Sequence, residues 1–479
     1  MVGPIELSGK RVLVVGLART GMATAQFCAA RGAVVTATDS RSAGEVGTAV
    51  ENLRSTGVQL ELGGHSATIL RGMDLVVPSP GVPADAPLLQ QARALNIPVW
   101  SEIELAGRFI RGQVIAITGS NGKTTTTSLV EHILRQAGLA TVLAGNIGIP
   151  LIAQIENTTE QTFTVAELSS FQLELIESFR PNLAVLLNLT PDHLDRHKTF
   201  EAYGSAKSRI FENLTAGDYA VLNADDAASA KYAPRAPQLF WFSRKIGVGQ
   251  GAFVRDGKIL FRQDGKDEGI LELSEIPLHG AHNLENVLAA VVVARIAGVV
   301  PAMIAEAVRS FPGVEHRIEF VAEIQGVCYY NDSKATNVDA ALKALEAFPG
   351  RILIILGGRD KDSDYTTLRS ALREKAILAL LIGSAAEKIE SQIDGSVAIR
   401  RAETLQNAVD LAAQAAHAGD TVLLAPACAS FDQFQNYEHR GRAFKELVHQ
   451  LQRRAELAAK EISKLSGNTE KRNAETFGK

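Results

Sequence analysis

A glycine-rich loop carries the clearest chemistry in the sequence. Residues 119–125 are Gly-Ser-Asn-Gly-Lys-Thr-Thr, after an apolar run and before a helix-like stretch. Glycines let backbone N–H groups approach a phosphate, and the N-terminus of the following helix adds positive potential. In such a loop the lysine, here Lys123, reaches the terminal phosphates of a nucleotide, and the hydroxyl of Thr124 binds Mg²⁺. Two residues separate the glycines instead of the usual four, so a plain glycine-rich turn is the alternative.

Residues after two later strands are candidates for completing a Mg²⁺ site, because this cation needs several oxygen ligands. Glu167 ends one predicted strand, and Asp192 and His193 follow the next. A lone acid in such a position often only caps a helix, but the phosphate loop one strand earlier favours the metal role. His193 and His197 also have the four-residue spacing of helical zinc ligands, although no third zinc ligand is evident nearby.

A weaker glycine loop lies near the N-terminus, at residues 16–21, with the sequence Gly-Leu-Ala-Arg-Thr-Gly. It follows a short strand, and Asp39 comes about 20 residues later, where dinucleotide-binding folds place an acid for the ribose. Alanine at position 18 replaces the middle glycine of that fingerprint. Taken alone, the segment suggests an NAD site.

The strands and helices around these residues alternate, which predicts an α/β fold with parallel sheets. In such sheets ligands bind at the carboxyl ends of the strands, where most of the motifs lie. The predicted strands are Arg11–Val15, Val34–Thr38, Val114–Thr118, Thr162–Ala166, Leu183–Leu187, Tyr219–Leu222, Val327–Tyr330, Arg351–Leu356, Ile377–Ile382 and Thr421–Leu424. Residues 407–418 are predicted to be helical, and residues 239–273 to form an antiparallel patch in the middle domain.

Glycine and proline near residues 107–112 and 312–314 mark two domain boundaries. They predict a first domain at 1–110, a central domain at 111–313, a third domain at 314–455 and a polar tail at 456–479. The tail has few apolar residues, so we expect an exposed helix that frays into disorder.

The composition limits the class of protein. The chain has 479 residues, a formal net charge of −4 and no basic tract, so we expect neither nucleic acid nor a membrane as a partner. Its three cysteines lie far apart in the sequence, which fits a reducing compartment. The N-terminus lacks a signal-peptide pattern, and no apolar run reaches the roughly 20 residues of a membrane span. We therefore expect a cytoplasmic protein.

The motifs together resemble those of the Mur ligase family, over nearly the whole chain. That family has the same shortened GxxGKT loop. Two further segments match it, Asn-Asp-Ser-Lys-Ala-Thr-Asn at 331–337 and Pro-Ala-Cys-Ala-Ser-Phe-Asp-Gln-Phe at 426–434, followed by Tyr-Glu-His-Arg-Gly at 437–441. The first segment differs from the arginine-containing motif of members that add a diamino acid. The resemblance is strongest to the members that add D-glutamate.

The resemblance implies an α/β enzyme with three domains: a Rossmann-like first domain for a UDP substrate, a central P-loop ATPase-like domain, and a Rossmann-like third domain for the amino acid. It implies ATP-dependent ligation of D-glutamate to UDP-N-acetylmuramoyl-L-alanine through an acyl phosphate, giving ADP and phosphate, in peptidoglycan precursor synthesis. Two Mg²⁺ ions and a carbamylated lysine are the implied cofactors. Three domains with sites at their seams suggest hinge closure around the ligands, and we expect a monomer.

The catalytic residues that the resemblance implies are Lys123, His193, Lys207 and Arg317. Thr124 and Glu167 would support the first Mg²⁺ and His193 the second, and Lys207, as a carbamate, would add an oxyanion. Without the resemblance, Lys207 is an ordinary lysine on a helix surface. His193 is also a conceivable base for the attacking amine, although the metal role is favoured.

The resemblance also assigns residues to three binding sites. The ATP site comprises Gly119, Ser120, Asn121, Gly122, Lys123, Thr124, Thr125, Asn283, Asn286, Arg317, Asp332 and Lys334. The UDP-substrate site comprises Arg19, Thr20, Asp39, Arg41, Ser79, Gly81, Asn146, Ser169, Gln172 and His193. The D-glutamate site comprises Thr336, Lys361, Ser430, Phe431 and Tyr437. Plainer alternatives exist for the asparagines: helix capping for Asn283 and Asn286, and a turn for Asn146.

Other functions stay open at this point. A related ligase, such as folylpolyglutamate synthase or the L-alanine-adding member of the Mur family, would use the same phosphate loop. An NAD-dependent oxidoreductase would use the first domain but gives no reason for the Gly-Lys-Thr loop. A nucleotide-binding switch would bind ATP without turning it over.

Overall fold

The computed structural model describes residues 3, 5–47, 49–278 and 280–476, without the side chains of residues 49, 50, 195 and 458–476. The strands are β1 (Arg11–Val15), β2 (Val34–Asp39), β3 (Gln59–Leu62), β4 (Leu75–Pro78), β5 (Gln113–Thr118), β6 (Thr141–Gly145), β7 (Phe163–Glu167), β8 (Leu183–Leu186), β9 (Tyr219–Asn223), β10 (Gln238–Ser243), β11 (Gly251–Arg255), β12 (Lys258–Gln263), β13 (Lys266–Glu272), β14 (Glu319–Ile324), β15 (Val327–Asn331), β16 (Ile352–Gly357), β17 (Ala376–Ile382), β18 (Ile399–Glu403) and β19 (Thr421–Leu424).

The α-helices are α1 (Arg19–Ala30), α2 (Ala43–Val46), α3 (Ala49–Ser55), α4 (Pro87–Ala94), α5 (Glu102–Gly107), α6 (Lys123–Gln136), α7 (Ser170–Leu173), α8 (Leu194–His197), α9 (Phe200–Ser208), α10 (Ala227–Ala230), α11 (Ala281–Ile296), α12 (Pro301–Ser310), α13 (Val338–Glu346), α14 (Arg369–Lys375), α15 (Ala386–Ile393), α16 (Leu405–Ala415) and α17 (Tyr437–Thr476). Short 3₁₀ helices lie at Leu151–Asn157, Arg209–Phe211, Leu273–Glu275 and Tyr365–Leu368.

The chain forms two compact units. The first comprises Met1–Pro277 with His282–Phe311, and the second comprises Leu278–Ala281 with Pro312–Lys479. Within the described residues, the first unit holds two separate sheets and the second unit holds one. The predicted α/β class with three sheet-based domains is therefore confirmed, while the residue boundaries drawn from glycine and proline stay predictions.

The first sheet has the strand order β3-β2-β1-β4, and its neighbouring strands pair in parallel. The residues of β1 from Val12 to Val15 are all buried, as expected for a strand covered on both faces. Val15 lies opposite Thr38 of β2 and Pro78 of β4. The glycine loop after β1, the end of β2 and the loop after β4 therefore share one edge of the sheet.

The central sheet has the order β13-β12-β11-β10-β9-β8-β5-β7-β6. From β6 to β11 neighbouring strands are parallel, and the β11–β12 and β12–β13 pairs are antiparallel. The predicted antiparallel patch is present at the edge of this sheet, although its first strand, β10, pairs in parallel with β9. Because β8, β5 and β7 are neighbours, the phosphate loop, Glu167 and the segment before His193 meet at one edge.

One apolar core runs through both sheets of the first unit. Val14 of β1, Ala116 of β5 and the α5 residues Ile103 and Leu105 all belong to it and are fully buried. Burying a side chain such as leucine or isoleucine contributes roughly 1.5–3 kcal/mol. The short helix α5 thus packs the first domain and the central domain together.

The sheet of the second unit has the order β14-β15-β19-β16-β17-β18, in which only the β14–β15 pair is antiparallel among the described residues. β15, β19 and β16 are neighbours at its centre. Their carboxyl ends, and the loops that follow them, therefore lie side by side.

Five of these strands, β3, β4, β6, β14 and β18, have no counterpart in the sequence prediction. β3 and β18 are edge strands with mostly exposed or half-buried side chains, so they lack an apolar run. Helix α17 continues to Thr476. The predicted fraying of the polar tail at 456–479 stays a prediction, because the side chains of residues 458–476 and all of residues 477–479 lie outside the described part. In the described part of the chain, no helix combines the length and apolar character that crossing a bilayer requires.

Candidate active site

The phosphate loop joins β5 to α6, as the sequence predicts. Gly119 and Gly122 have positive φ angles there, 154° and 81°. A Cβ atom on Gly122 would lie 2.1 Å from Oδ1 of Asn286, so both the backbone and the space require glycine. Helix α11 thus packs its asparagine directly against the loop.

Lys123 begins α6 and folds back over the loop. Its Nζ donates hydrogen bonds to the backbone oxygens of Gly119, at 2.9 Å, and Ser120, at 3.0 Å. The ammonium group lies beside the loop backbone at a helix N-terminus, the combination that favours a bound phosphate.

The segment after β8 supports the phosphate loop. Oδ1 of Asn188 accepts a hydrogen bond from the N–H of Asn121 at 2.9 Å, and the Ser120 hydroxyl donates to the carbonyl of Thr190 at 3.0 Å. The Tyr203 hydroxyl donates to the Ser120 oxygen at 3.1 Å, and burial raises the pKa of Tyr203 to about 12. Sequence reasoning missed these three supports, although Asn188 and Thr190 directly follow a predicted strand.

Glu167 ends β7 with only 2% of its surface exposed. One carboxylate oxygen accepts a hydrogen bond from the Thr124 hydroxyl and the other from the side-chain amide of Asn146, both at 2.8 Å. The N–H of Asn146 also donates to the carbonyl of Glu167, at 2.8 Å. A buried carboxylate and a threonine hydroxyl are the hard oxygen donors that Mg²⁺ prefers, so these residues fit that cation.

Lys207 lies on α9 and is buried, with 2% of its surface exposed, rather than on the helix surface. Its Nζ lies 4.8 Å from the centre of the Tyr203 ring. Burial is the main cause that lowers the pKa of Lys207 well below its usual value, and the charge of Lys123 adds to it. Asp192 and Glu167 oppose the shift, which places both acids within electrostatic reach of the amine.

His193 has a left-handed backbone conformation, with φ 52°, immediately before α8. Its N–H donates to Oδ1 of Asp192 at 2.9 Å, and its Nε2 lies 3.5 Å from Oδ2 of the same residue. His197 is buried, with its ring nitrogens 3.0 Å from the Ser170 hydroxyl and 3.4 Å from a Glu174 oxygen. Both nitrogens of His197 are thus engaged, which argues against the zinc alternative.

Asp39 holds the glycine loop of the first domain, residues 16–21, in place through a hydrogen bond. Its carboxylate accepts hydrogen bonds from the N–H of Leu17, at 2.7 Å, and from the Arg41 guanidinium, at 2.8 and 3.0 Å. The Arg41 side chain holds the pKa of Asp39 well below its usual range, although burial opposes the shift. The Ser79 hydroxyl donates to the carbonyl of Gly16 at 2.6 Å. These residues form one network at the carboxyl ends of β1, β2 and β4.

Of the other residues expected at the UDP substrate, Arg19 and Thr20 begin α1, Gly81 follows β4, and Ser169 and Gln172 follow β7. Arg19 and Gly81 are exposed and Thr20 is half-buried. Ser169 and Gln172 form a capping box at the start of α7, in which the N–H and hydroxyl of Ser169 both donate to Oε1 of Gln172 at 3.0 Å. Their roles in substrate binding stay predictions.

In the second unit, the segment after β15 carries Asp332 and Lys334. Burial raises the pKa of Asp332 to about 7, and the charge of Arg317 opposes the shift. Nζ of Lys334 lies 3.9 Å from the centre of the Tyr437 ring, a cation–π contact. The N–H of Lys334 donates to the carbonyl of His316 at 3.1 Å. This unit therefore brings together part of the predicted nucleotide and amino-acid sites.

The residues expected around D-glutamate lie in loops after the neighbouring strands β15, β19 and β16, and at the start of α17: Thr336, Ser430, Phe431, Lys361 and Tyr437. The backbones of Arg359 and Ala429 exchange two hydrogen bonds, of 2.8 and 3.2 Å, which join the loops after β16 and β19. Ser430 is buried, whereas Lys361 and Phe431 are exposed. Two of these side chains are thus accessible to a ligand.

Arg440 is not among the residues predicted from the sequence, although it lies in the segment Tyr-Glu-His-Arg-Gly at 437–441. Its guanidinium is buried and donates to the carbonyl of Ser333 at 2.9 Å and to that of Cys428 at 3.2 Å. Burial lowers the pKa of Arg440 to about 10. The arginine ties the loop after β15 to the loop after β19.

Comparisons with known proteins define the class. Residues 10–101 match the Mur ligase MurD-like N-terminal domain, residues 117–294 the Mur ligase middle domain, and residues 316–428 the Mur ligase glutamate ligase domain. The chain therefore belongs to the Mur ligase family, as its motifs predict, and is an ATP-dependent ligase. The oxidoreductase and switch alternatives are set aside.

Two similar proteins indicate which members of the Mur ligase family the chain resembles most. The chain is 56% identical to the UDP-N-acetylmuramoylalanine–D-glutamate ligase of Acidobacterium capsulatum over 447 residues, 93% of this chain and 97% of that protein. It is 54% identical to the protein of the same name from Koribacter versatilis, over 93% of this chain and 99% of that protein. The predicted resemblance to the D-glutamate-adding members is confirmed.

A solved structure shares the fold. The UDP-N-acetylmuramate-alanine ligase MurC from Thermotoga maritima aligns with a TM-score of 0.57 at 20% identity, covering 92% of this chain and 99% of that one. At this identity the likeness concerns the fold alone.

Proposed function

We propose that this chain ligates D-glutamate to the alanyl carboxyl group of UDP-N-acetylmuramoyl-L-alanine, with ATP, in the synthesis of the peptidoglycan precursor. The observation that carries the proposal is one cluster, in which Lys123, Thr124, Glu167 and Lys207 meet around the phosphate loop. The choice of substrates is supported by the names of the relatives, which align with nearly the whole chain.

A carbamylated lysine and two Mg²⁺ ions are part of the proposal. The lowered pKa of Lys207 increases the share of neutral amine, the form that can react with CO₂. The amine nitrogen would bond to the carbon of CO₂ and lose a proton to water, which leaves an N-carboxylate. This anion would join the carboxylates of Asp192 and Glu167, and such a group of anions favours bound cations.

Thr124, Glu167 and the carbamate would hold the first Mg²⁺, and His193 would support the second. Bound Mg²⁺ supplies charge neutralisation between a phosphate and an approaching carboxylate. The donors present fit this chemistry, because they are mostly hard oxygens.

The reaction proposed has two steps. An oxygen of the alanyl carboxylate attacks the γ-phosphorus of ATP, and the bond to the β–γ bridging oxygen breaks, giving an acyl phosphate and ADP. The neutral amine of D-glutamate then attacks the acyl carbon, its nitrogen loses a proton to water, and the tetrahedral intermediate expels phosphate. Lys123 would stabilise charge on the phosphoryl oxygens, and Arg317 is predicted to share this role. No nucleophile of the protein is needed.

The two organic substrates are assigned to different units. The UDP end is proposed to bind at the Asp39 network, and Asn146 would contact the sugar-linked part. D-Glutamate would bind in the second unit, where Lys361 offers a cation and Thr336 and Ser430 offer hydroxyls for its carboxylates. We further propose that the protein works in the cytoplasm as a monomer. It is also proposed to bind neither nucleic acid nor a membrane, since a net charge of −4 gives no attraction to these anionic partners.

The test is phosphate release from ATP and UDP-N-acetylmuramoyl-L-alanine in the presence of a panel of D- and L-amino acids. We expect release with D-glutamate and background release with the other amino acids, including L-glutamate. Release that needs UDP-N-acetylmuramate and L-alanine instead would assign the chain to another branch of the family. Sedimentation of the pure protein as a dimer would contradict the monomer.

A further inference from the structure

One arginine joins the two sheets of the first unit at the carboxyl ends of their strands. Arg196 lies in the single-turn helix α8, three residues after His193. Its guanidinium donates hydrogen bonds to the carbonyl oxygens of Pro80, at 3.1 Å, and Val82, at 3.2 Å, in the loop after β4 of the first domain. The same group donates to the carboxylate of Glu174, in the central domain, at 2.6 Å.

The flat face of this guanidinium is also covered. Its central carbon lies 4.3 Å from the centre of the Phe171 ring, which makes a cation–π contact. The Phe171 ring packs edge-on against the ring of His193, with the ring centres 4.9 Å apart. Only 15% of the Arg196 side chain and 16% of the Glu174 side chain are exposed, so water screens their ion pair little. Two carbonyls, a carboxylate and an aromatic ring thus fix one side chain.

Arg196 joins the loop after β4, which is proposed to bind the UDP end of the substrate, to the segment around His193, which is proposed to lie beside its reacting end. The loop after β4 carries Ser79, which binds the carbonyl of Gly16, and Gly81, which lies between the residues that Arg196 contacts. On the other side, His193 has a positive φ, and α8 is a single turn, so neighbouring side chains must hold this segment in place. A substrate bound at its UDP end and reacting at the other end needs a fixed distance between the two loops.

We propose that Arg196 is a positioning residue that sets the distance between the UDP-binding loop after β4 and the reacting end of the substrate beside His193. This inference rests on the proposed function for the identity of the substrate. Lysine is a poor replacement, because it lacks the planar fork that reaches several acceptors at once and the flat face that stacks on Phe171.

The test compares the full-length wild-type protein with Arg196→Lys and Arg196→Ala in the ligation assay. For each protein, kcat and KM are measured for UDP-N-acetylmuramoyl-L-alanine, ATP and D-glutamate, and the Kd of UDP by calorimetry. We expect kcat/KM for the UDP substrate to fall on the order of 10- to 100-fold in both variants. The KM for ATP and the Kd of UDP should stay close to the wild-type values, because neither ligand spans the two loops.

Arg31→Ala is the matched control. Arg31 also joins the first domain to the central domain, through an ion pair with Glu156, and its guanidinium lies over the rings of Phe27 and Phe109 in the first domain. Its partner lies in the 3₁₀ helix Leu151–Asn157, away from the β4 loop and α8 in the sequence. Removing Arg31 loosens the same pair of domains at another place, so we expect all kinetic constants to be unchanged.

A second variant, Glu174→Gln, tests how much of the effect depends on the ion pair between Glu174 and Arg196. Glu174→Gln removes the carboxylate that Arg196 binds but leaves both carbonyl acceptors, so we expect the same pattern with a smaller loss. Because the two side chains are in contact, the loss in the double variant with Arg196→Lys should be smaller than the product of the two single losses.

Unchanged kcat/KM for the UDP substrate in Arg196→Lys, a clear rise in the KM for ATP or in the Kd of UDP, or the same pattern in Arg31→Ala would each overturn the inference. If the wild-type protein ligates a different amino acid, the proposed function fails, yet the Arg196 variants can still be compared with that amino acid. If wild-type ligation of D-glutamate is normal and the variants match it, only the inference fails.

Discussion

The hydroxyl of Thr124 donates a 2.8 Å hydrogen bond to the buried carboxylate of Glu167. Thr124 lies in the first turn of α6 and Glu167 at the end of β7, and the two are close because β5 and β7 pair in parallel. A cation bound between them would find two oxygen ligands, the Thr124 hydroxyl and a Glu167 carboxylate oxygen, already side by side. Phosphate and metal chemistry in this protein should therefore depend on both side chains.

Lys123→Ala should abolish ADP formation while leaving the binding of the UDP substrate intact. The lysine folds over the phosphate loop, and losing its charge there should lower the rate by roughly 10³-fold. ADP release is measured in a coupled assay, and substrate binding by calorimetry. Lys258→Ala, which removes a lysine from β12, is the control and should keep full activity. Near-normal ADP release from Lys123→Ala would refute the role of the phosphate loop.

Lys207→Ala should lose ligation by on the order of 10²-fold or more, because it removes the amine that would carry the carbamate. Added bicarbonate should not restore activity, since no amine remains to react, whereas short carboxylates such as formate or acetate should restore part of it. Lys231→Ala, at an exposed lysine of the same unit, should behave like the wild type. Full activity of Lys207→Ala without any additive would remove this residue from the site.

Gly122→Ala should destabilise the protein more than Gly138→Ala. Both glycines have positive φ, 81° and 77°, so alanine costs roughly 1–2 kcal/mol at either position. Only at Gly122 would the new Cβ meet another atom, Oδ1 of Asn286 at 2.1 Å, while nothing lies within 4 Å at Gly138. Denaturant unfolding gives both costs, and the KM for ATP should rise only in Gly122→Ala. Equal free energies of unfolding for the two variants would contradict the packing of Asn286 on the loop.

Two glutamates on α5 should give stability opposite dependences on pH. The carboxylate of Glu104 accepts backbone hydrogen bonds from Glu177, Ser178 and Phe179, at 2.9, 2.9 and 2.7 Å. Burial alone would raise the pKa of Glu104, but these bonds outweigh it and lower the pKa. For Glu102, burial dominates and raises the pKa to about 7, and none of the described residues forms a hydrogen bond with its Oε2.

The contribution of Glu104 should therefore be complete above the unfolded pKa of about 4.3 and be lost as the pH falls through the lower folded pKa. Glu104→Gln should remove this acid sensitivity and cost about 3 kcal/mol near neutral pH. Glu102 should do the reverse, so that stability declines as the pH rises from about 4.3 towards 7, and Glu102→Gln should flatten that range. The measurement is the free energy of unfolding from denaturant titrations across pH. Identical pH profiles for the two variants would contradict the different surroundings of the two carboxylates.

The local parts of the site could be predicted from the sequence. The phosphate loop is a strand, a glycine turn and a helix in succession, so its residues are neighbours in the chain as well as in space. The same holds for Glu167 and for Asp192 with His193, which follow apolar strands. Predicted strands such as β1, β5 and β19 carry continuous apolar runs that mark them as buried.

The supports of the site could not be predicted in this way, because their partners are distant in the sequence. Asn188 and Thr190 contact residues 67 to 70 positions earlier. Lys207 lies on a short helix rich in small and polar residues, and its burial depends on the elements packed around it. Arg196 donates hydrogen bonds to backbone carbonyl oxygens of the loop after β4. Because every residue has a carbonyl oxygen, no residue type in the sequence marks these acceptors.

The short helix α5 has a consequence for the integrity of the first unit. Its two carboxylates take their backbone partners from the central domain, and its apolar side chains belong to a core shared by both sheets. A fragment ending near residue 110 would keep these acids and lose what they bind, so it should not be recoverable as a folded piece. Heating the whole chain should accordingly melt the first two sheets in a single cooperative transition, visible as one calorimetric peak.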